Sequence, residues 1–117
     1  MAYGKRVFIE AVREVAFGSI TGSYTTVGAV TAHNARLVIF NNSTDKDLYL
    51  SVDGSTNNFR IASNSFKLID LTANMSSNSE DAYFLPIQTQ FWVKQTSAGA
   101  PGSGNLWIEV IGASGGP

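Results

Sequence analysis

The stretch ARLVIFNNSTDKDLYLSVDG, residues 35–54, contains the clearest structural pattern in the chain. It begins with an uninterrupted apolar run from Leu37 to Phe40, which ends at Asn41 and Asn42. A run of this length is typical of a strand, and a strand without polar positions must be covered on both faces. We therefore predict that the run is a central strand of a sheet.

The same stretch continues with alternating side chains. Leu48, Leu50 and Val52 occupy every second position, and Tyr49 and Ser51 stand between them. Alternation with a period of two is typical of a half-buried strand, because successive side chains point to opposite faces. We predict that the three apolar residues face the core and that Tyr49 and Ser51 face outward.

Asparagine, serine and aspartate residues separate the two strands and follow the second one. Asn42, Ser43 and Asp45 can bond their own backbone and make a tight turn. Asp53 and Gly54 favour the positive φ angles that a primed β-hairpin turn requires. These residues therefore predict the turns of β-hairpins.

A calcium site is the chemical alternative for this acidic region. An EF-hand loop needs oxygen ligands at positions 1, 3 and 5, Gly at 6 and Glu at 12. In the register that starts at Asp45, Tyr49 stands at position 5, and in the register from Asp53, Asn58 stands at position 6 in place of Gly. Both registers fail, so we predict no metal site.

Short apolar segments with turn residues between them recur along the rest of the chain. They indicate an all-β fold, an antiparallel and jelly-roll-like β-sandwich of about eight short strands with an N-terminal arm. Residues 5–17 are ambiguous between strand and helix, because their charges follow a helical period while their β-branched residues favour an extended chain. We assign residues 1–12 to an arm or first strand, 13–112 to the sandwich, and 113–117 to a flexible tail.

Composition restricts the partners. The 117 residues carry a net charge of −1, contain no Cys, and have scattered Lys and Arg, so we expect one domain that binds no nucleic acid. No apolar run is long enough to span a bilayer, so we expect no membrane partner. Charges at Glu10 and Arg13 interrupt what would be the apolar region of a signal peptide. These features agree with synthesis in a cytoplasm.

Catalytic patterns are weak. His33 is the single histidine, no nucleophile elbow accompanies it, and it is more simply a loop-anchoring residue. Asp53, Asp70 and Glu109 are carboxylates of the type that glycosidases use, but nothing in the sequence brings them together. We predict that the protein is not an enzyme and has no catalytic residue, bound metal or cofactor.

Three large aromatic residues, Tyr49, Trp92 and Trp107, are out of phase with the apolar face of their strands. They fit a second packed sheet face, a protein-contact surface, or a platform on which sugars stack. We expect a contact surface that includes part of the N-terminal segment. The protein-contact candidates are Lys5, Arg6, Val7, Phe8, Ile9, Tyr49, Trp92 and Trp107.

A series of short motifs runs through most of the chain. The motifs are SYTTVG at 23–28, RLVIF at 36–40, LYLSVDG at 48–54, DLTAN at 70–74, FLP at 84–86, FWVK at 91–94 and an apolar strand at 106–111. The series resembles that of small β-sandwich structural proteins of tailed-bacteriophage virions, over about residues 20–112. Gln88 is a departure, because the pattern has Gly at that position.

The resemblance implies a non-enzymatic virion component that is made in the host cytoplasm. Its expected role is that of a capsid decoration or cement protein, which binds and stabilises capsomers. A neck or tail connector component is the alternative within the same family. Either role implies other virion proteins as partners, such as the major capsid protein or neck and tail proteins, and a homo-oligomer or multi-copy assembly. The aromatic residues leave a carbohydrate-binding or receptor-binding module as the alternative outside the family.

Overall fold

The computed structural model describes residues 7–71 and 85–113. Nine short strands and one 3-10 turn, Phe17–Ser19, make up this part of the chain. The strands are β1 (Val7–Ile9), β2 (Arg13–Ala16), β3 (Thr25–Thr26), β4 (Ala35–Asn42), β5 (Leu48–Ser51), β6 (Phe59–Ile61), β7 (Ser65–Asp70), β8 (Trp92–Gln95) and β9 (Asn105–Ala113). Across these two ranges, no helix has the length and apolar character needed to cross a membrane.

The strands form two antiparallel sheets. Sheet A has the order β1-β9-β4-β7, and β2 pairs with β9 on the same edge as β1, while sheet B has the order β3-β8-β5-β6. If β1 and β2 count as one interrupted strand, the two orders become 1-8-3-6 and 2-7-4-5. This is the arrangement of an eight-stranded jelly roll, and it confirms the predicted antiparallel β-sandwich.

The core lies between the two sheets. The central strand β4 contributes Val38 and Phe40, and the ring of Phe40 packs edge-on against Phe91 with 5.7 Å between the ring centroids. The predicted central position of β4 is confirmed, because β4 pairs with β9 on one side and β7 on the other. Its predicted burial on both faces is wrong, since Leu37 and Ile39 on the outer face are only half-buried.

The turn that follows β4 joins the two sheets and is not the hairpin that its residues predict. β4 belongs to sheet A and extends to Asn42, whereas β5 belongs to sheet B. Asn42 is fully buried at this corner. Its Nδ2 donates to the carbonyls of Lys46, Ile61 and Ala62 at 2.9–3.2 Å, and its Oδ1 accepts from the backbone N–H and the hydroxyl of Thr44.

The hairpin of β5 and β6 forms as predicted, but with a longer loop than a primed two-residue turn. Leu50 pairs with Phe59, and the loop between the strands bends back over sheet B. Ser51, predicted to face outward, is fully buried because its Oγ accepts hydrogen bonds from the backbone N–H groups of Asp53 and Gly54. Gly54 has a φ of +81°, and Asp53 does not share this left-handed conformation.

The extended interpretation of residues 5–17 applies to those that the structure describes. Val7–Ile9 and Arg13–Ala16 are strands, and both pair with β9 of the same chain. The first part of the predicted arm, residues 1–6, and the end of the predicted tail, 114–117, lie outside the described residues. Residues 72–84, which include the end of the DLTAN motif and the start of the FLP motif, also lie outside them.

Gln88, which stands where the resembling sequence pattern has Gly, lies in a left-handed backbone conformation. Gln88 has a φ of +71°, which is a left-handed conformation that glycine adopts without strain. Its backbone N–H donates to the Thr31 carbonyl at 2.8 Å, and Thr89 Oγ1 donates to the Pro86 carbonyl at 2.6 Å. The turn is thus held in place from outside, and the glutamine is strained within it.

Replacing Asn42 with alanine is expected to destabilise the fold strongly. The change removes the donor to the three carbonyls and the acceptor for Thr44, so we expect a loss of about 2–4 kcal/mol in the free energy of unfolding. Asn41→Ala is the matched control, because Asn41 is half-buried and accepts one side-chain hydrogen bond, from Ser43, so its loss is expected to stay below about 1 kcal/mol. Urea denaturation measures both, and equal losses would contradict the role assigned to the corner.

Substitutions at Gln88 test the strained turn. Gln88→Gly removes a left-handed cost of about 1 kcal/mol and adds an entropic cost of similar size, so stability is expected to be unchanged or slightly higher. Gln88→Val, which places a β-branched residue at positive φ, is expected to lower the melting temperature clearly. A glycine variant less stable than the valine variant would show that the backbone at this position is not left-handed.

Candidate protein interface

The outer face of sheet A is the side of the sheet that points away from sheet B. The register places Ile111 between Ile9 and Leu37, and Trp107 between Glu14 and Asn41. β7 extends these rows on the far side of β4. The outer face of sheet A comprises Val7, Ile9, Glu14, Leu37, Ile39, Asn41, Phe66, Leu68, Asp70, Trp107, Glu109 and Ile111.

This face is unusually apolar for a surface. The exposed fractions are 80% for Ile9, 60% for Val7, 67% for Phe66 and 48% for Leu68. The face is four strands wide, at about 4.8 Å per strand, and about 20–30 Å long, so its area is about 400–600 Å². The largest apolar patch on a typical soluble monomer is of this order, and larger patches mark interaction sites.

The sequence-based contact candidates separate onto different surfaces. Val7, Ile9 and Trp107 lie on the outer face of sheet A. Phe8 points the other way and stacks on His33, with ring centroids 3.9 Å apart. Lys5 and Arg6 lie outside the described residues. Tyr49 and Trp92 belong to sheet B, so the structure does not bring the three out-of-phase aromatic residues together.

The aromatic residues of sheet B are already in use within the protein. Lys94 Nζ lies 4.8 Å from the ring centroid of Tyr24 and 6.0 Å from that of Tyr49. Gly54 lies against the indole of Trp92, so closely that a Cβ at residue 54 would be 3.1 Å from the ring. These internal contacts compete with sugar stacking and make sheet A the better candidate surface.

A buried charged cluster, which sequence reasoning missed, fixes the N-terminal strands. Glu10 lies between β1 and β2, and its Oε1 is 2.7 Å from Arg13 Nη2. Its Oε2 accepts from the backbone N–H groups of Ala32 and His33 at 3.0 and 2.9 Å, and it is 3.2 Å from His33 Nδ1. Arg13 in turn donates to the Ala29 carbonyl at 2.9 Å. The cluster ties the β1–β2 junction to the segment that leads into β4.

The surroundings of Glu10 act on its ionisation in opposite directions. Burial by itself raises the pKa of Glu10, but hydrogen bonds from Arg13 and His33, the Arg13 charge and the Ala32 N–H outweigh it, so the pKa lies below its usual value. The carboxylate is therefore held ionised in the folded protein. The sequence contained one sign of this arrangement, because Glu10 and Arg13 interrupt an otherwise apolar segment.

An open groove of about 450 Å³ lies beside this cluster, with Val12 and Val30 in its walls. The groove is also lined by Glu10, Arg13 and His33, which bond one another or the nearby backbone, and by Glu14, which accepts a hydrogen bond from Asn105. His33 has the loop-anchoring position that the sequence favoured.

The carboxylates named as catalytic candidates lie apart. Asp53 is in the β5–β6 loop of sheet B, where N–H groups of Thr56 and Ser55 and the Ser51 hydroxyl hold its pKa well below the usual value. Asp70 and Glu109 lie on sheet A, on strands that β4 separates. Among residues 7–71 and 85–113, no group of three or more His, Asp or Glu side chains is arranged to hold a metal ion.

Comparison with known proteins finds no matching family model, no matching curated protein and no matching solved structure. The function must therefore be argued from the surface geometry and from the sequence resemblance alone.

Substituting Glu10 tests the charged cluster. The folded pKa of Glu10 is below the unfolded one, so its stabilisation is complete above about pH 4 and is lost as the pH falls through the folded value. We expect Glu10→Gln to cost about 2–4 kcal/mol at pH 7, because it leaves Arg13 buried without its carboxylate. The difference in the free energy of unfolding between Glu10→Gln and the unmodified protein should shrink toward pH 3.

Urea denaturation at several pH values measures this difference. Glu14→Gln is the matched control, because Glu14 is exposed and bonds Asn105 at 2.6 Å on the surface. Its effect is expected to be below about 1 kcal/mol. A Glu10→Gln cost that does not change between pH 7 and pH 3 would contradict an ionised Glu10.

Proposed function

We propose that the chain is a non-enzymatic structural protein of a tailed-phage virion, and that it acts as a capsid decoration or cement protein. In this role it binds capsomers through the outer face of sheet A and stabilises them. The observation that carries the proposal is the contiguous apolar surface over four strand positions, with Phe66 and Ile9 largely exposed at opposite edges. The sequence resemblance supplies the virion setting, and the jelly-roll topology is compatible with it.

The size of the face suggests how such a protein would bind. About two thirds of the positions on this face are apolar, so covering its roughly 270–400 Å² of apolar surface contributes roughly 7–10 kcal/mol before costs, at about 25 cal/mol per Å². Lost translational and rotational freedom offsets this by about 4–15 kcal/mol. One face is therefore a modest binder by itself. Tight attachment follows when many copies, or several contacts of one copy, engage one particle.

The N-terminal segment contributes to this surface in a specific way. Val7–Ile9 already pair with β9 of their own chain, so the backbone groups on that side are bonded. Their contribution to a partner is therefore made by the exposed side chains of Val7 and Ile9.

A neck or tail component of the virion is the second candidate, because the same apolar face also suits contacts between neighbouring copies in a ring.

A carbohydrate-binding or receptor-binding module remains the third candidate. Its aromatic platform would be Tyr49 and Trp92, whose rings contact Lys94 and Gly54. Those contacts make it the weakest of the three.

Polar substitutions on the outer face are expected to reduce incorporation into particles and to leave folding almost unchanged. Ile9→Ser and Phe66→Ser remove exposed apolar surface, so the free energy of unfolding is expected to change by less than about 1 kcal/mol. Each variant should occupy particles at least tenfold less than the unmodified protein. Copies per particle are measured by quantitative gel analysis of virions that assemble with each variant.

Ile87→Ser is the matched control. Ile87 is 54% exposed but lies in the turn before Gln88, outside the strands of sheet A. This variant is expected to occupy particles normally. Normal occupancy by all three variants would remove the outer face from the proposal, and absence of the unmodified protein from purified virions would reject the virion role itself.

A further inference from the structure

The outer face of sheet A has a carboxylate near its centre. Glu109 lies on β9 between Trp107 and Ile111 on the same face, and its cross-strand neighbour on β4 is Ile39. On its other side it faces the break between β1 and β2, where no residue pairs with it. Glu109 is thus an exposed acid with apolar side chains around it.

Nothing on the described part of this face neutralises that charge. The outer-face positions that the register places within residues 7–71 and 85–113 include the acids Glu14 and Glu109, and none is Lys or Arg. The ion pairs within the described ranges involve Glu10 and Asp47, which lie elsewhere. Glu14 accepts a hydrogen bond from Asn105, but no such bond is formed by Glu109 in the described structure.

Any surface that covers this face must also cover Glu109. Burial of an ionised carboxylate without a partner costs several kcal/mol, which is as large as the net binding free energy that the apolar area leaves. A partner avoids the cost by placing a cation against the carboxylate. Arg is well suited, because its guanidinium makes two parallel hydrogen bonds to a carboxylate.

We propose that the outer face of sheet A binds an apolar protein surface that carries an Arg or Lys opposite Glu109. The inference rests on the proposed function, in which this face is the docking surface. It also disfavours one occupant, because a two-fold contact between two copies would bring two Glu109 carboxylates together, and the register places no Lys or Arg on this face within residues 7–71 and 85–113. Glu109 therefore selects a cationic partner and opposes two-fold pairing through the face.

Sedimentation of the purified protein tests whether Glu109 opposes two-fold pairing. The unmodified chain is expected to be a monomer at micromolar concentration. Glu109→Leu, which makes the centre apolar, is expected to tighten self-association at least tenfold, and Phe66→Ser in the same chain should reverse it. Asp45→Asn, which changes an exposed acid in the turn after β4 and outside the face, is the control and should remain monomeric. An unmodified dimer that Phe66→Ser dissociates, or a monomeric Glu109→Leu, would show that Glu109 does not oppose this pairing.

Binding to particles that were assembled without the chain tests the cation. Glu109→Gln is expected to weaken binding at least tenfold and to flatten the dependence of affinity on salt, while Glu109→Lys should weaken it at least a hundredfold. Asp45→Asn should bind normally. Unchanged affinity and salt dependence of Glu109→Gln would overturn the proposed cation.

The two proposals fail in different ways. If Phe66→Ser loses particle binding while Glu109→Gln keeps it, the docking face stands and the cationic partner is wrong. If the unmodified protein does not bind the particles, the virion role is wrong, and sedimentation of Glu109→Leu still decides whether Glu109 opposes pairing.

Discussion

The pairing of β4 with β9 is the constraint on which the rest of the structure depends. These strands lie at the centre of sheet A, and their register decides the side of the sheet on which every neighbouring side chain falls. The register that buries Val38 against Val110 also places half-buried Ile39 beside Glu109 on the outer face. A slip of one residue would move the carboxylate into the core, so the core and the candidate interface are specified together.

Two buried polar networks fix the position of the paired strands β4 and β9 relative to the rest of the fold. Asn42 joins the end of β4 to carbonyls next to β5 and β6, and so determines where the chain crosses from sheet A to sheet B. Glu10 joins the β1–β2 junction to the segment before β4. Fully bonded networks of this kind add rigidity as well as stability. A rigid sheet loses little conformational entropy on docking, which favours a small interface.

The fold was largely predictable from the sequence, because strand alternation is a local property. Leu106, Ile108 and Val110 alternate in β9, and all three are buried as the pattern predicts. The corner at Asn42 was not predictable as such, since the same turn residues serve a hairpin and a crossing between sheets. The burial of Ser51 depends on how a later loop folds back, and no periodicity contains that information.

The candidate interface was predictable only in part, for a related reason. Alternation indicated that Trp92 and Trp107 leave the core, but it does not say to which of the two outer faces each side chain belongs. The exposure of Phe66 follows from the position of β7 at the edge of sheet A, which requires the topology. The Glu10 cluster joins residues more than 20 positions apart, and such contacts have no signature in a single sequence.

The outer face of sheet A combines apolar side chains with one acid, Glu109, near its centre, and this combination affects binding specificity. Apolar area attracts many surfaces with little discrimination, whereas an unpaired carboxylate penalises every partner that lacks a cation in the right place. At the modest binding free energy of one face, a penalty of several kcal/mol decides between attachment and none. A protein that must remain separate after synthesis and bind only one surface benefits from this arrangement, because the charge opposes premature self-association while the apolar side chains supply the affinity.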